Sequence, residues 1–264
     1  MHAFQYHRPS SLKDATATGA KDEAKYLAGG QSLVQAMKLR LAAPTDLIDL
    51  SSLKELSGIK VSGSAVEIGA MTRHAEVAAS AEVKKAIPAL ASLAGMIGDR
   101  QVRHMGTIGG SLANNDPAAD YPAAVLGLGA TITTNKRKIE GDKFFKGLYE
   151  TALEPGELIT SVSFPVPKRA AYMKFKNPAS RFAIVGVFVA DFGGSARVGV
   201  TGAGPSAFRQ ADMEKALAAK FAPDSVANVK VRADGLNTDL HASAEYRAHL
   251  VTVMARRAVE AALS

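Results

Sequence analysis

The segment Leu27 to Arg40, LAGGQSLVQAMKLR, restricts what this chain of 264 residues can fold into more than any other, because it sets a Gly-Gly pair between an apolar run and a helical one. Glycine reaches backbone angles closed to other residues, and without a Cβ it lets main-chain N–H groups come close to a ligand. Successive N–H groups in such a turn form a concave anion site, strengthened where a helix begins immediately after. KYLAG before the pair reads as a strand, and Leu33, Met37 and Leu41 recur at helical spacing behind it. Pro44 stops the helix and DLIDL, Asp46 to Leu50, reads as a second strand, so the whole is a compact β-α-β unit. Taken alone, the turn suits a phosphate and a plain strand-to-helix connection equally well.

A second pair stands in TIGGSLANNDPAADYP, Thr107 to Pro122. Its flank is unusually polar for a segment entering an apolar helix: Asn114, Asn115, Asp116 and Asp120 all precede YPAAVLGLGA. A helix start needs one capping residue of this kind. Four of them fit a hydrogen-bonding wall facing a polyhydroxylated ligand better. A third pattern, Gly202, Gly204 and Ala207 in VGVTGAGPSA, formally satisfies a dinucleotide fingerprint. Pro205 removes an N–H from the turn meant to hold pyrophosphate, and no acidic strand end follows at the required distance, so this match is read as false.

Around these turns, IKVSGSAVEIGAM reads as a hairpin about Gly63-Ser64, and the alanine-rich run from Arg73 to Gly98 as helix with a break at Pro88. GELITSVSFPVP reads as a strand closed by two prolines, followed by further strands and by helices at ADMEKALAAK and in the C-terminal EYRAHLVTVMARRAVEAAL. The class is α+β, with expected divisions at 1–57, 58–166 and 167–264.

Composition removes several functions. With no cysteine, the chain holds no disulfide, thiolate nucleophile or cysteine-ligated metal centre. The net charge of +7 is spread in twos and threes with only 6% aromatic residues, which reads as a solvated surface and not a nucleic-acid site. No apolar run reaches membrane-spanning length and no secretory signal opens the sequence, so a cytoplasmic protein is expected, with peripheral membrane attachment still compatible.

Together AGGQSLVQAMKLRL, IGAMTRH, QVRHMGTIGGSLANNDPAADYP and VTGAGPS resemble the FAD-binding medium subunit of the molybdenum hydroxylases. That family includes aerobic carbon monoxide dehydrogenase, bacterial xanthine dehydrogenase and related aldehyde and N-heterocycle dehydrogenases, and the resemblance runs from about Phe4 to the C-terminal helix. It implies a flavin-binding α+β fold of the vanillyl-alcohol-oxidase type, in which two subdomains hold FAD and a C-terminal α/β domain closes the site. By this resemblance Ala28, Gly29, Gly30, Gln31, Ser32 and Leu33 line the pyrophosphate with Thr107, Gly109, Gly110 and Ser111. Asn114 and Asp120 reach the sugar-alcohol or phosphate groups, and Ile97 packs on the flavin. Ile159 and Lys176 lie near the ring, and Phe182 stands where some relatives carry a tyrosine. His74 and His104 are expected to be structural or surface residues, not covalent flavin attachments.

The function implied is electron transfer. Substrate is hydroxylated at a molybdenum cofactor in a large subunit, and electrons pass through 2Fe-2S clusters of a small subunit. FAD in this chain hands them to an acceptor, in an expected dimer of heterotrimers. No residue here is expected to break a substrate bond. The rivals are a self-sufficient flavin oxidase, a nicotinamide dehydrogenase using Gly202 to Ala207, and a non-catalytic scaffold. The first would need a general base beside the ring and a larger substrate domain.

Overall fold

The computed structural model describes residues 1–264. The N-terminal part follows from alternating apolar runs and caps. Strand β1 (Gln5–His7) leads to helix α1 (Leu12–Gly19), whose start is fixed by Ser11 Oγ accepting from the Asp14 N–H. Strand β2 (Lys25–Leu27), helix α2 (Leu33–Lys38) and strand β3 (Asp46–Asp49) form the β-α-β unit read from the sequence. The strands are parallel in the order β1-β3-β2, with Leu47, Ile48 and Leu50 buried. Strand β1 was not read from the sequence; three residues without a full alternation carry too little pattern. Helix α2 is shorter than its apolar spacing suggests. It ends at Lys38, Arg40 turns left-handed at φ 60°, and Leu41 is 79% exposed.

The middle part is a five-stranded antiparallel sheet and a separate two-stranded one, with a layer of short helices. After a single 3-10 turn, Lys54–Leu56, come β4 (Ile59–Ser62) and β5 (Ala65–Gly69), the hairpin expected at Gly63. The alanine-rich run breaks twice, into α3 (His74–Ala79), α4 (Ala81–Ala86) and α5 (Pro88–Gly95). Pro88 starts α5 as expected, and Ser80 makes the other break by capping α4 through the Val83 N–H. Helices α6 (Arg100–Met105), α7 (Ile108–Asn114) and α8 (Tyr121–Leu128) follow, then β6 (Thr131–Thr134), β7 (Lys138–Glu140), α9 (Gly141–Phe144), β8 (Phe145–Gly147), β9 (Glu150–Thr151) and β10 (Ile159–Pro165). The sheet order is β4-β5-β10-β6-β7, so the last strand enters the middle. Its entry is pinned by the buried Glu157, which accepts from Arg137 Nε and Nη2 (3.0 Å each), Thr134 Oγ1 (2.7 Å) and the Glu154 N–H (2.9 Å).

The C-terminal part is a second antiparallel sheet, β11 (Arg169–Lys176), β12 (Ala183–Asp191), β13 (Ala196–Thr201) and β14 (Phe208–Arg209), with helices α10 (Ala211–Ala219), α11 (Pro223–Ala227) and α12 (Ala244–Leu263). Strand β12 is buried at every position because it is covered on both sides, by α8 and by α12. That is why AIVGVFVA reads as a continuous apolar run and not as an alternation. The third glycine pattern lies between β13 and its antiparallel neighbour β14. Gly202 (φ 81°) donates to Pro117 O and no crossover helix follows, so the dinucleotide reading fails on topology as well as on Pro205. No helix is long and apolar enough to cross a membrane.

Candidate functional site: a backbone cradle beside a clamped turn

The two Gly-Gly pairs are far apart in sequence and touch in space. A Cβ on Gly29 would lie 2.1 Å from Met105 O, and one on Gly110 would lie 3.4 Å from Ala28 Cβ. The first pair therefore packs directly on the segment leading into the second.

Their backbones are used differently. The N–H groups of Ala28, Gly29, Gly30, Gln31, Ser32 and Leu33 find no acceptor anywhere in the protein. Gly30 is left-handed at φ 72°, Ser32 caps α2 only by position, and all but the exposed Ser32 are half-buried. Six unspent donors in a row at a strand-to-helix turn are open to an anionic ligand. The donors of the second pair are consumed by the fold. Ile108 N–H bonds to Thr72 O, Gly109 N–H to Ala70 O, Gly110 N–H to Thr107 Oγ1 and Ser111 N–H to Thr107 O. This pair is not a loop but the first turn of α7, and Gly109 is glycine because a Cβ there would lie 2.5 Å from that of Ala70. What remains available in this segment is side-chain chemistry: Ser111 and Asn114 are half-buried and their side chains make no hydrogen bond within the protein.

The polar wall expected after α7 is largely a set of internal struts. Asn115, left-handed at φ 43° and fully buried, donates from Nδ2 to Gly147 O and Glu150 O, both at 2.8 Å. Asp116 accepts from the Ala118 N–H and from Tyr149 Oη. Asp120 is 4% exposed, with Tyr172 Oη at 2.6 Å and Lys174 Nζ at 2.9 Å. Burial pushes its carboxyl above the ordinary range, and the Lys174 ammonium works against that shift. In this structure the Asp120 oxygens bind two groups of β11. Ile159, at 2% exposure, belongs to the large core beneath the helices.

The residues expected beside the ring gather elsewhere. Ile97 sits half-buried in the turn between α5 and α6, and Arg103 Nη1 donates to its carbonyl at 3.0 Å. Lys176 and Phe182 flank the turn between β11 and β12, both exposed, and Arg181 of that turn reaches Gly98 O at 3.5 Å. Phe182 further lines a cavity of about 260 Å³ with Asp116, Asn177, Asp239 and Arg247. Helix α6 connects the two places: its N-terminal end follows the Ile97 turn and its last residue, Met105, touches Gly29. Six residues at 1.5 Å rise separate them by about 9 Å.

Sequence reasoning missed Arg103, Tyr172 and Lys174, which act only through contacts with distant segments. His74 is buried against Tyr121, with ring centroids 5.4 Å apart, and its Nδ1 has no partner. Burial, then the charge of Arg103, push it down to about 4, so the ring is neutral and structural. His104 is exposed.

This arrangement of sheets and glycine turns defines an FAD-binding protein class. The chain belongs to the family described as the FAD binding domain in molybdopterin dehydrogenase, matched over residues 2–167. It is 37% identical to the carbon monoxide dehydrogenase medium chain of Afipia carboxidovorans, over 98% of this chain and 96% of that one. It is 35% identical to the nicotine 6-hydroxylase medium subunit of Paenarthrobacter nicotinovorans, covering 97% and 96%. Among solved structures, a chain of quinoline 2-oxidoreductase from Pseudomonas putida 86 superposes with a TM-score of 0.89 at 29% identity, over 98% of this chain and 96% of that one. The α+β arrangement is shared across this group. The cradle fits FAD, because a pyrophosphate needs several convergent N–H donors and these six have no other use.

Proposed function

We propose that this chain is the FAD-carrying electron-transfer subunit of a multi-subunit molybdenum hydroxylase, taking electrons from 2Fe-2S clusters in a small subunit and passing them to an external acceptor. The observation that carries the reading is the run of six unspent N–H groups from Ala28 to Leu33 packed against the segment that leads into Gly109 and Gly110. In this reading the six donors hold the pyrophosphate, Ser111 and Asn114 bind adjacent hydroxyl or phosphate oxygens, and Thr107 fixes the first turn of α7. Ile97, about 9 Å away along α6, surrounds the ring together with Lys176 and Phe182. FAD, when bound, exchanges electrons singly or in pairs and so joins one-electron centres to two-electron acceptors.

In this reading the chain's own residues bind and orient, and none breaks a substrate bond. With no cysteine it holds no cysteine-ligated cluster, and in this reading the electrons arrive from another polypeptide. The relatives' names support this division of labour, since they are medium chains or subunits of enzymes that act on carbon monoxide and nicotine. A large molybdenum subunit, a small 2Fe-2S subunit, a dimer of heterotrimers and a cytoplasmic location complete the proposal.

Untagged purification from the native source followed by metal analysis tests it. The expected preparation contains molybdenum, iron and one FAD per copy of this chain, and the separated chain keeps flavin alone. Acid precipitation should leave the flavin in the supernatant. Bleaching of the flavin by substrate in the separated chain, as fast as in the intact preparation, would instead establish a self-sufficient oxidase.

A further inference from the structure

The turn Met96–Gly98 between α5 and α6 has an unusual set of hydrogen-bond partners. None of its three carbonyls accepts from a backbone N–H. Lys174 Nζ donates to Met96 O at 3.2 Å, Arg103 Nη1 donates to Ile97 O at 3.0 Å and Gly98 O at 3.1 Å, and Arg181 Nη1 reaches Gly98 O at 3.5 Å. Every donor to the turn is therefore a cation, and they come from three places: strand β11, helix α6 and the β11–β12 turn. Gly98 is left-handed at φ 48°, and a Cβ there would lie 2.9 Å from Val102, so the path of the turn is fixed on that side too.

A cation beside the last carbonyls of α5 is ordinary helix-end chemistry. Three cations, two of them from the C-terminal sheet, are more than an end needs. Lys174 is paired with Asp120, whereas Arg103 and Arg181 have no carboxylate within 4.0 Å. Lys176 likewise has no carboxylate within 4.0 Å.

We infer that Arg103 is a positioning residue for the flavin. It fixes Ile97 as one wall of the ring site and, with Arg181 of the opposite sheet, supplies positive charge that favours the electron-rich reduced cofactor over the oxidised one. The inference rests on the function proposed above. A guanidinium suits this place because one nitrogen, Nη1, serves both carbonyls with its two N–H groups while the charge stays delocalised over the planar group.

The test compares full-length wild type with Arg103→Met, Arg103→Lys and Arg181→Gln. Flavin-free protein is titrated with FAD, the midpoint potential of the bound flavin is measured, and melting is followed with and without FAD. Arg103→Met is expected to weaken FAD binding about 10- to 100-fold and to move the potential negative. Arg103→Lys, which keeps the charge but loses the planar group that places Nη1 between the two carbonyls, should restore the potential more fully than the affinity. Arg181→Gln, on an exposed turn, should move the potential alone and serves if Arg103→Met does not fold. Wild-type affinity and potential in all three variants overturn the inference, as does an affinity loss matched by an equal loss of stability in the flavin-free chain with no change of potential. A wild-type chain that binds no FAD overturns the proposed function itself.

Discussion

Gly29 is the residue where the two motifs meet, and the space around it decides its chemistry. An added Cβ would lie 2.1 Å from Met105 O, so Gly29→Ala must push the cradle off the Met105–Gly106 segment. The expected result is at least a tenfold rise in the FAD dissociation constant, about 1.4 kcal/mol, in fluorescence titration. Gly204→Ala is the matched control, since nothing lies closer than 3.4 Å to its Cβ position, and it should bind as wild type. His74 offers a test by pH. Its folded value of about 4 lies below the ordinary 6.5, so the stability linked to the neutral ring is complete above pH 6.5 and lost as pH falls towards 4. His74→Leu should flatten the fall in melting temperature over that interval. The orphaned Nδ1 makes the neutral-pH cost of this change small for a buried site. The glycines were legible from the sequence because their limits are local. The fate of Asp120 was not: Tyr172, 52 residues on, and Lys174, 54 residues on, take up its carboxylate.

Elements were legible where the chain repeats a pattern over several turns or strands, and misread where one residue overrides it. Pro88 announces the start of α5, but Ser80 announces the start of α4 only if its side chain is known to bond the Val83 N–H. The apolar spacing of Leu33, Met37 and Leu41 carried the eye past the true end of α2, which the left-handed Arg40 sets. The entry to β10 depends on Glu157 in the same way. Burial alone would raise its carboxyl, yet the donors of Arg137, Glu154 and Thr134 outweigh it and hold the group at about 2. The folded value is depressed, so this stabilisation is complete above pH 4.5 and lost as pH falls towards 2. Arg137→Met should lower the midpoint of urea denaturation at pH 7, by less than the loss of a fully enclosed pair would, because the guanidinium is partly open to water. The variant should also lose the acid-dependent part of the wild-type curve.

At the scale of the molecule, Leu39 and Leu41 stand 70% and 79% exposed next to the helix that follows the cradle. They are held there firmly, since the N–H groups of Leu41 and Ala42 both bond to Ala36 O. Changing both to serine should leave the melting temperature within about 1–2 °C of wild type, as surface changes do. If this knuckle meets the electron-donating subunit, the pair of changes should reduce co-purification of iron with the chain. The family match ends at residue 167, but the largest core does not. Its 28 residues include Tyr172, Phe188 and Ala190 from the C-terminal sheet, and Gly199 lies so close to α8 that a Cβ would approach Ala123 O to 2.2 Å. For inheritance this means that the obvious seam is not a seam. A chimera that joins this chain to a relative at residue 167 should fold poorly, whereas one that keeps α8, β12 and β13 from a single parent should fold well. Recombination among these proteins is expected to move those three elements as one block.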